Sequence, residues 1–289
     1  MTRIDADAPW RRRCVDHSGF LRKRLREGLY ISRLFSWPNF RFEFIHLDWM
    51  HIVCLGVAQV VVGNILWELF LDMGGVISRP NVTLARLLVF LQASASEIGE
   101  QCPFSKLFLG HLRPEDKKPT LRAKAANTRK MVPIVLHLLA NYFPARNEHA
   151  EVRYNCLSYL NDCYLELYGW REGSPGRLEE ACLRFLHLYH QLARAVLREG
   201  KHWLRWRWYP KFHLLLHLVG EQSRLYGNPK DLWNYLDDGG HRPVGGRRRV
   251  RSHQNLCRVC VAEIHGLVPA DVVSRMNAKQ KQPTEPTTN

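Results

Sequence analysis

The sequence predicts a mostly helical fold of the α+β type, with one strand near its beginning and a long helical region after it. Residues 40–48 alternate apolar and polar side chains, which is the pattern of a half-buried strand. Residues 52–71 are almost uncharged and apolar, as in a buried helix. Residues 80–200 carry apolar side chains at helical spacing and contain no convincing strand. Helices therefore make up most of the predicted fold.

Amphipathic stretches define the individual helices. Within each stretch, apolar residues recur three and four positions apart, and Gly or Pro residues separate one stretch from the next. The predicted helices cover residues 82–99, 121–143, 148–168, 176–200 and about 210–225. Pro133 lies inside the second of these and is expected to kink or divide it, because proline has no backbone N–H to donate.

The composition favours an intracellular protein with a polyanionic partner. The chain of 289 residues has a formal net charge of +15 at pH 7, which favours nucleic acid first and an anionic membrane surface second. The cysteines are scattered and no apolar signal segment begins the chain, so reduced thiols and a nuclear or cytoplasmic location are expected. Gln59, Asn64 and Glu68 interrupt the apolar residues 52–71, which favours a core helix over a membrane span. We expect no membrane partner.

Two basic segments are candidates for binding the nucleic acid backbone. In residues 201–217 tryptophans alternate with cations, a composition suited to stacking on bases while holding phosphates. Core tryptophans with arginines that extend to the surface are the more frequent alternative. Residues 247–251 form a second basic run, a pattern that is more often a solvated face or an import signal than a reading element. The candidate nucleic-acid-binding residues are Lys201, Arg205, Arg207, Lys211, Arg247, Arg248 and Arg249.

Asp48 is the leading candidate for a chemical residue. It ends the predicted strand directly before the buried helix, where many α/β proteins keep their reactive groups. Asp237 and Asp238 follow much later in the chain, after the helical region. Carboxylates that converge on paired Mg²⁺ ions can cleave a phosphodiester, because one metal activates the attacking oxygen and the other stabilises the leaving oxygen. A turn before Gly239 and Gly240 is the simpler explanation of the Asp237–Asp238 pair.

Other patterns of chemical residues are weaker. His213 and His217 are four residues apart on a predicted helix, which is half of a helical zinc motif, but Leu214 stands where that motif has its glutamate. Cys257 and Cys260 form a lone CxxC without a second pair at zinc-finger spacing. Histidines satisfied by core or surface contacts are therefore expected. The sequence also lacks a P-loop and a nucleophile elbow, so kinase, NTPase and hydrolase functions have no support.

Three sequence blocks carry a resemblance to a known family. They read HLDWMHIVCLGV at residues 46–57, YPKFHLLLHL at 209–218 and YGNPKDLWNYLDD at 226–238. In this order and spacing the blocks resemble the C-terminal two-thirds of DDE-type transposases, in particular the CACTA-like and Plavaka-like groups and transposon-derived proteins. In that family an aspartate-x-x-histidine block follows a strand, and a long helical insertion precedes a Pro-Lys-x-His helix. The resemblance covers about residues 35–265.

The resemblance implies a domain arrangement. A remnant of an RNase H-like sheet, near residues 38–48, would carry a large helical insertion at about residues 80–205. The incomplete transposase core would span residues 37–268. Residues 1–36 are then a basic N-terminal arm, and the polar, Pro- and Thr-rich residues 269–289 are a disordered tail.

The resemblance also implies roles for single residues. Asp48 matches the second catalytic carboxylate, and Asp238, or failing that Asp237, matches the third. Asp48 and Asp238 would hold Mg²⁺ if the site is intact. Lys211 and His213 match the helix that packs beside the site.

Departures from the family pattern set the functional expectation. Only Asp5, Asp7 and Asp16 precede Asp48, in a region that does not read as a strand, so no first carboxylate is identified. The glycine-rich residues after Asp238 disfavour the helix that the family has there. We therefore expect a truncated or decayed transposon-derived protein that binds DNA and is inactive by itself, with a homodimer as one compatible assembly. The alternative is a basic helical scaffold that binds nucleic acid or protein, in which Asp48 only caps the next helix.

Overall fold

The computed structural model is mostly helical in the residues that it describes, which are 17–28, 46–112, 118–198 and 205–232. All of them belong to one compact unit, which ends at Tyr235. The α-helices in these ranges are α1 (His17–Arg26), α2 (Ala58–Asp72), α3 (Asn81–Glu97), α4 (Leu109–Leu112), α5 (Ala125–Asn141), α6 (Glu148–Tyr168), α7 (Ser174–Arg198), α8 (Pro210–His217) and α9 (Ser223–Tyr226). The π-helical segments Met50–Val57 and Leu218–Gln222 precede α2 and α9, and a 3-10 turn covers Pro229–Leu232.

The predicted strand is the part of the fold class that remains a prediction. Residues 40–45 lie outside the described ranges, and residues 46–48 have no regular secondary structure. No strand occurs in the part of the chain that the structure describes. The prediction of a mostly helical chain is confirmed, while the RNase H-like sheet is still a prediction.

The continuous helical stretch Met50–Asp72 forms the centre of the core. Val61, Ile65 and Phe70 are fully buried there, and α2 contacts α3, α4, α5 and α6. By length and composition the stretch could cross a membrane, since its most apolar 18-residue window has a mean hydropathy of 1.9, yet 83% of that window is buried inside the fold. Packing against neighbouring helices is therefore enough to account for its apolar character.

A close backbone crossing fixes the connection before α5 on α2. A Cβ atom at Gly63 would overlap the backbone of Thr120 and Leu121, so glycine is required at this point. The Leu121 N–H donates to the Gln59 carbonyl at 2.8 Å, and Gln59 Nε2 donates to the Ala123 carbonyl at 2.7 Å. One of the polar residues that interrupt the apolar helix thus binds the crossing segment.

The helices α6 and α7 form an antiparallel hairpin that packs against the core. Near the connecting loop, Arg177 pairs with Glu166 at 2.8 Å, and farther along Arg184 donates to the Tyr159 hydroxyl at 3.2 Å. Asn147 caps α6 because its side chain accepts a hydrogen bond from the Ala150 N–H. The predicted helices at 148–168 and 176–200 correspond to these two elements.

The remaining sequence predictions about helices differ in their outcome. The helix predicted at 82–99 is α3, shifted by one or two residues. Pro133 does not divide its helix, since α5 continues from Ala125 to Asn141 with the proline inside. Val132, Ile134 and Val135 are fully buried around the proline, and their packing keeps the helix continuous although one backbone donor is missing.

The described residues cover most of the predicted helical insertion but only part of the predicted segments on either side of it. The helices α3 to α7 occupy the predicted helical insertion at about residues 80–205. Of the basic arm, residues 1–36, the structure describes α1 and the turn that follows it. The polar tail, residues 269–289, lies outside the described ranges.

Candidate functional site at the Asp48 corner

Asp48 stands where the irregular residues pass into the first helical turn. Its Oδ1 accepts a hydrogen bond from the Met50 N–H at 2.9 Å, and its backbone oxygen accepts one from the Ile52 N–H at 3.0 Å. Its Oδ2 contacts Nδ1 of His51. The Asp48 side chain is 12% exposed, whereas that of His51 is 45% exposed. Asp48 therefore caps the helical turn and also faces a histidine that reaches solvent.

Lys211 fastens α8 to the first π-helical segment. Its Nζ donates to the carbonyls of His51 and Leu55, both at 2.7 Å. Leu55 has φ −97° and ψ 21°, outside the helical region, and a partly buried carbonyl at such an irregular turn needs a partner from elsewhere. A Cβ at Gly56 would overlap the Lys211 side chain, so the glycine leaves the path that the lysine uses. Burial lowers the pKa of Lys211.

The described parts of the three sequence blocks lie against one another here. The Leu47 N–H donates to Gln222 Oε1 at 2.8 Å. The rings of His46 and Tyr226 pack edge to face, with centroids 4.2 Å apart. Tyr226 is the first residue of the third block, and Lys211 belongs to the second. We call residues 46–51, together with Lys211, Gln222 and Tyr226, the Asp48 corner.

The candidate nucleic-acid-binding residues have different surroundings. Arg207 is exposed, whereas Arg205 pairs with the buried Glu68 at 3.1 Å and Lys211 binds backbone carbonyls. The remaining candidates lie outside the described ranges: Lys201, Arg247, Arg248 and Arg249. Of the residues predicted by sequence for this purpose, Arg207 is the one whose described position suits contact with a phosphate.

The predicted Mg²⁺ site is not complete within the described residues. Among them, no group of three or more His, Cys, Asp or Glu side chains is placed to hold a metal ion. Mg²⁺ prefers several oxygen ligands in octahedral geometry, and Asp48 supplies one carboxylate that also caps a helix. Asp237 and Asp238 lie outside the described ranges, so Mg²⁺ binding remains a prediction.

A second polar group, which sequence reasoning did not find, surrounds Glu68 near the end of α2. Its Oε2 lies 3.0 Å from His149 Nε2 and 3.2 Å from Arg153 Nη1. Its Oε1 accepts hydrogen bonds from Trp206 Nε1 at 2.7 Å and from Arg205 Nη1 at 3.1 Å. The Glu68 side chain is 4% exposed. We call these five residues the Glu68 cluster.

The surroundings of Glu68 keep it ionised. Burial alone raises the pKa of this carboxyl, but the hydrogen bond and charge of His149, the charge of Arg153 and the Trp206 hydrogen bond outweigh that effect, so the pKa lies below its ordinary value of 4.5. A cavity of about 240 Å³ adjoins the cluster and is lined by Asn147, Asp72 and the cluster's cations. A buried carboxylate with this set of donors joins α2, α6 and the segment before α8. Removing the carboxylate would leave buried cations without their shared counter-ion.

Trp206 connects the Glu68 cluster to the aromatic core. It is 1% exposed and has φ +48°, which is uncommon for a residue with a side chain. Its backbone N–H donates to Asn64 Oδ1 at 2.8 Å, and its ring packs edge to face on Tyr189 with centroids 5.5 Å apart. Asn64 and Glu68, which interrupt the apolar pattern of α2, were the sequence signal, since buried polar side chains require partners.

A histidine pair lies on α8, beside a carboxylate from the following π-helical segment. Nε2 of His213 and Nε2 of His217 are 3.2 Å apart, with the two rings nearly perpendicular at 86°. Nδ1 of His217 lies 3.2 Å from Glu221 Oε2, and the His217 side chain is 20% exposed. The two histidines predicted to share a helix face therefore meet there through their Nε2 atoms.

Comparison with protein families, curated proteins and solved structures gives no match for this chain. The resemblance to DDE transposases therefore depends on the three sequence blocks. In the Asp48 corner, Lys211 of the second block binds the His51 carbonyl and Tyr226 of the third block packs on His46. The first block is therefore a neighbour of described residues of both other blocks.

Proposed function

We propose that this protein is a transposon-derived, DNA-binding protein of the DDE transposase type that does not cleave DNA by itself. The observation that carries the proposal is the Asp48 corner, where the first resembling block contacts described residues of the other two, although about 150 residues separate it from the second. An aspartate and a half-exposed histidine meet there at the surface of a helical core. Cleavage is not expected from the chain alone, because no residue of the sequence is identified as a match for the first carboxylate of the family.

Charge supports DNA as the partner. The formal net charge is +15, and attraction to phosphates supplies most of the affinity of a protein that binds DNA without reading its sequence. Arg194, Arg198 and Arg207 are exposed, and the Tyr189 hydroxyl on α7 donates to the Arg207 carbonyl at 2.6 Å. The Arg207 backbone therefore lies beside the C-terminal half of α7, which carries the other two arginines.

Titration of labelled duplex DNA with the full chain over a series of salt concentrations tests this binding. The logarithm of affinity should fall linearly with the logarithm of salt concentration, because bound counterions are released. Arg207→Ala should lower that slope by about one if the arginine contacts a phosphate. Arg171→Ala, at the loop of the α6–α7 hairpin, serves as the matched exposed control and should leave the slope unchanged. Absence of binding, or binding that does not depend on salt, would refute the proposal.

A nicking assay with labelled DNA and Mg²⁺ tests the second half of the proposal. The wild-type chain should leave the DNA intact over the assay period. Cleavage by the wild type that is lost in Asp48→Ala would instead establish an active site that contains Asp48. Equal cleavage by both proteins would remove Asp48 from any mechanism.

A non-enzymatic scaffold is the second candidate function, and one observation favours it. Asp48 accepts the Met50 N–H, which a helix cap does without any chemistry. Asn replaces Asp well as a cap but carries no charge. If Asp48 is only a cap, Asp48→Asn should match the wild type in both stability and DNA binding. Weaker DNA binding by a fully stable Asp48→Asn protein would favour a functional carboxylate.

A further inference from the structure

We propose that His213 and His217 together bind a transition-metal ion, with Glu221 orienting the His217 ring. The proposal depends neither on the predicted Mg²⁺ site at Asp48 nor on the proposed DNA binding. It would take an ion that imidazole nitrogen favours, such as Zn²⁺, Cu²⁺ or Ni²⁺, rather than Mg²⁺ or Ca²⁺, which favour oxygen.

The distance between the two ligand atoms fits a shared metal. Nε2 of His213 and Nε2 of His217 are 3.2 Å apart. Two nitrogens bound at 2.0–2.1 Å to one tetrahedral ion are separated by about 3.3 Å. Histidines at positions i and i+4 lie on the same helix face, which is the arrangement that helical zinc motifs use. A direct hydrogen bond between the rings is also compatible with 3.2 Å, and the experiment below distinguishes the two.

Glu221 provides the second part of the argument. Its Oε2 lies 3.2 Å from Nδ1 of His217, on the side of the ring opposite the metal position. Histidines that bind metals usually donate their other N–H to a carboxylate or carbonyl, which fixes the tautomer and makes the free nitrogen more basic. With the proton on Nδ1 shared with Glu221, the Nε2 lone pair of His217 points toward His213.

The backbone around the pair is also unusual. The π-helical segment Leu218–Gln222 begins directly after His217 and carries Glu221. Such turns frequently occur at functional sites, because they re-aim side chains that a regular α-helix would place elsewhere. Within the described ranges the two histidines are the protein ligands of this site, and the His217 side chain, 20% exposed, can be reached from solvent.

The test is titration of the full, metal-free chain with Zn²⁺ by calorimetry and with Co²⁺ by visible absorption. The wild type should bind one more equivalent of metal ion than either His213→Gln or His217→Gln. The Co²⁺ that binds at this extra site should show visible absorption bands but no thiolate-to-cobalt charge-transfer band. Burial raises the pKa of the Cys156, Cys163 and Cys182 thiols, and any background from other cysteines is the same in all variants. The spectrum thus distinguishes histidine from cysteine ligands.

Two further variants complete the test. Glu221→Gln should still bind the additional metal ion, but with an affinity about 10- to 100-fold lower, which is the usual effect of losing a carboxylate behind a histidine ligand. His187→Gln is the matched control, since His187 on α7 also contacts a residue four positions away, Gln191 at 3.0 Å, and it should change nothing. Circular dichroism checks that each variant is folded. Equal stoichiometry in the wild type and in folded His213→Gln and His217→Gln proteins would overturn the proposal.

Discussion

Asp48 and Glu68 are carboxylates near the two ends of the same helical stretch, and their surroundings differ in kind. Glu68 is 4% exposed and faces four donors from distant parts of the chain. Asp48 caps its own helix and contacts His51, whose side chain is 45% exposed. Glu68 is enclosed by its partners, whereas Asp48 lies beside a side chain that solvent reaches.

The two sites differ in what their charges do: the charge of Glu68 is used inside the fold, whereas the Asp48 corner has a side chain that a partner can reach. At the Glu68 cluster, Arg153 and Arg205 balance a carboxylate that is 4% exposed, so the cluster stabilises the fold as a set. At the Asp48 corner the local bonds can be kept while a partner approaches the exposed His51. We therefore expect large stability effects from changes at Glu68 and small ones from changes at Asp48.

Removing the charge of Glu68 should have the largest effect on stability. Glu68→Gln leaves Arg153 and Arg205 without their buried counter-ion, and we expect a loss of about 3–5 kcal/mol in the free energy of unfolding. Urea denaturation measures it. Glu180→Gln is the matched control, because Glu180 and its partner Arg184 are 61% and 56% exposed, and exposed pairs contribute little. A loss at Glu68 no larger than at Glu180 would contradict a structural role for the cluster.

The stabilisation by Glu68 should also depend on pH. The pKa of Glu68 is lower in the folded protein than its ordinary value of 4.5, so its ionisation stabilises the fold at neutral pH. That contribution is complete above about pH 4.5 and is lost as the pH falls through the lower, folded-state pKa. The stability difference between wild type and Glu68→Gln should therefore be full at pH 7 and shrink under acid. A difference that stays constant down to acid unfolding would be inconsistent with an ionised Glu68.

At the Asp48 corner, the lysine that holds the backbone should matter more than the aspartate. Lys211→Met keeps the apolar stem but removes the hydrogen bonds to the His51 and Leu55 carbonyls, and we expect a loss of about 2 kcal/mol. Thermal unfolding measures the loss. Lys130→Met is the control, since Lys130 is 39% exposed and pairs with Glu100. A loss equal to that of Lys130→Met would mean that the two carbonyls are satisfied by water instead.

Changes at Asp48 itself should have the smallest effect. Asp48→Ala removes the acceptor of the Met50 N–H, for a loss of about 1 kcal/mol, whereas Asp48→Asn keeps an acceptor and should cost about 0.5 kcal/mol at most. Chemical denaturation of both variants measures the two losses in the free energy of unfolding. If Asp48→Asn were as destabilising as Glu68→Gln, the distinction between the two carboxylates would fail.

Much of the helical framework could be predicted from the sequence because its signals are local. The helix predicted at 148–168 has the bounds of α6, since Asn147 is a strong cap and Gly169 ends the pattern. The stretch after Asp48 reads as a buried helix because nearly every side chain in it is apolar. These features need no knowledge of the rest of the chain.

The Glu68 cluster could not be predicted because its partners are distant in sequence. His149 and Arg153 are 81 and 85 residues from Glu68, and Arg205 is 137 residues away. Arg205 stands among tryptophans, a local composition that favours nucleic acid binding, yet the fold pairs it with a buried carboxylate. Local pattern cannot distinguish a cation that faces inward from one such as Arg207 that faces solvent.

Amide hydrogen exchange of the full chain, with and without a short duplex DNA, tests the central claim most directly. If the Asp48 corner belongs to the DNA-binding surface, peptides from residues 46–57 and 207–226 should become protected when DNA binds. Peptides around Glu68 and the loop between α6 and α7 should exchange at unchanged rates. DNA-dependent protection that is confined to other regions, with none at the Asp48 corner, would contradict the account.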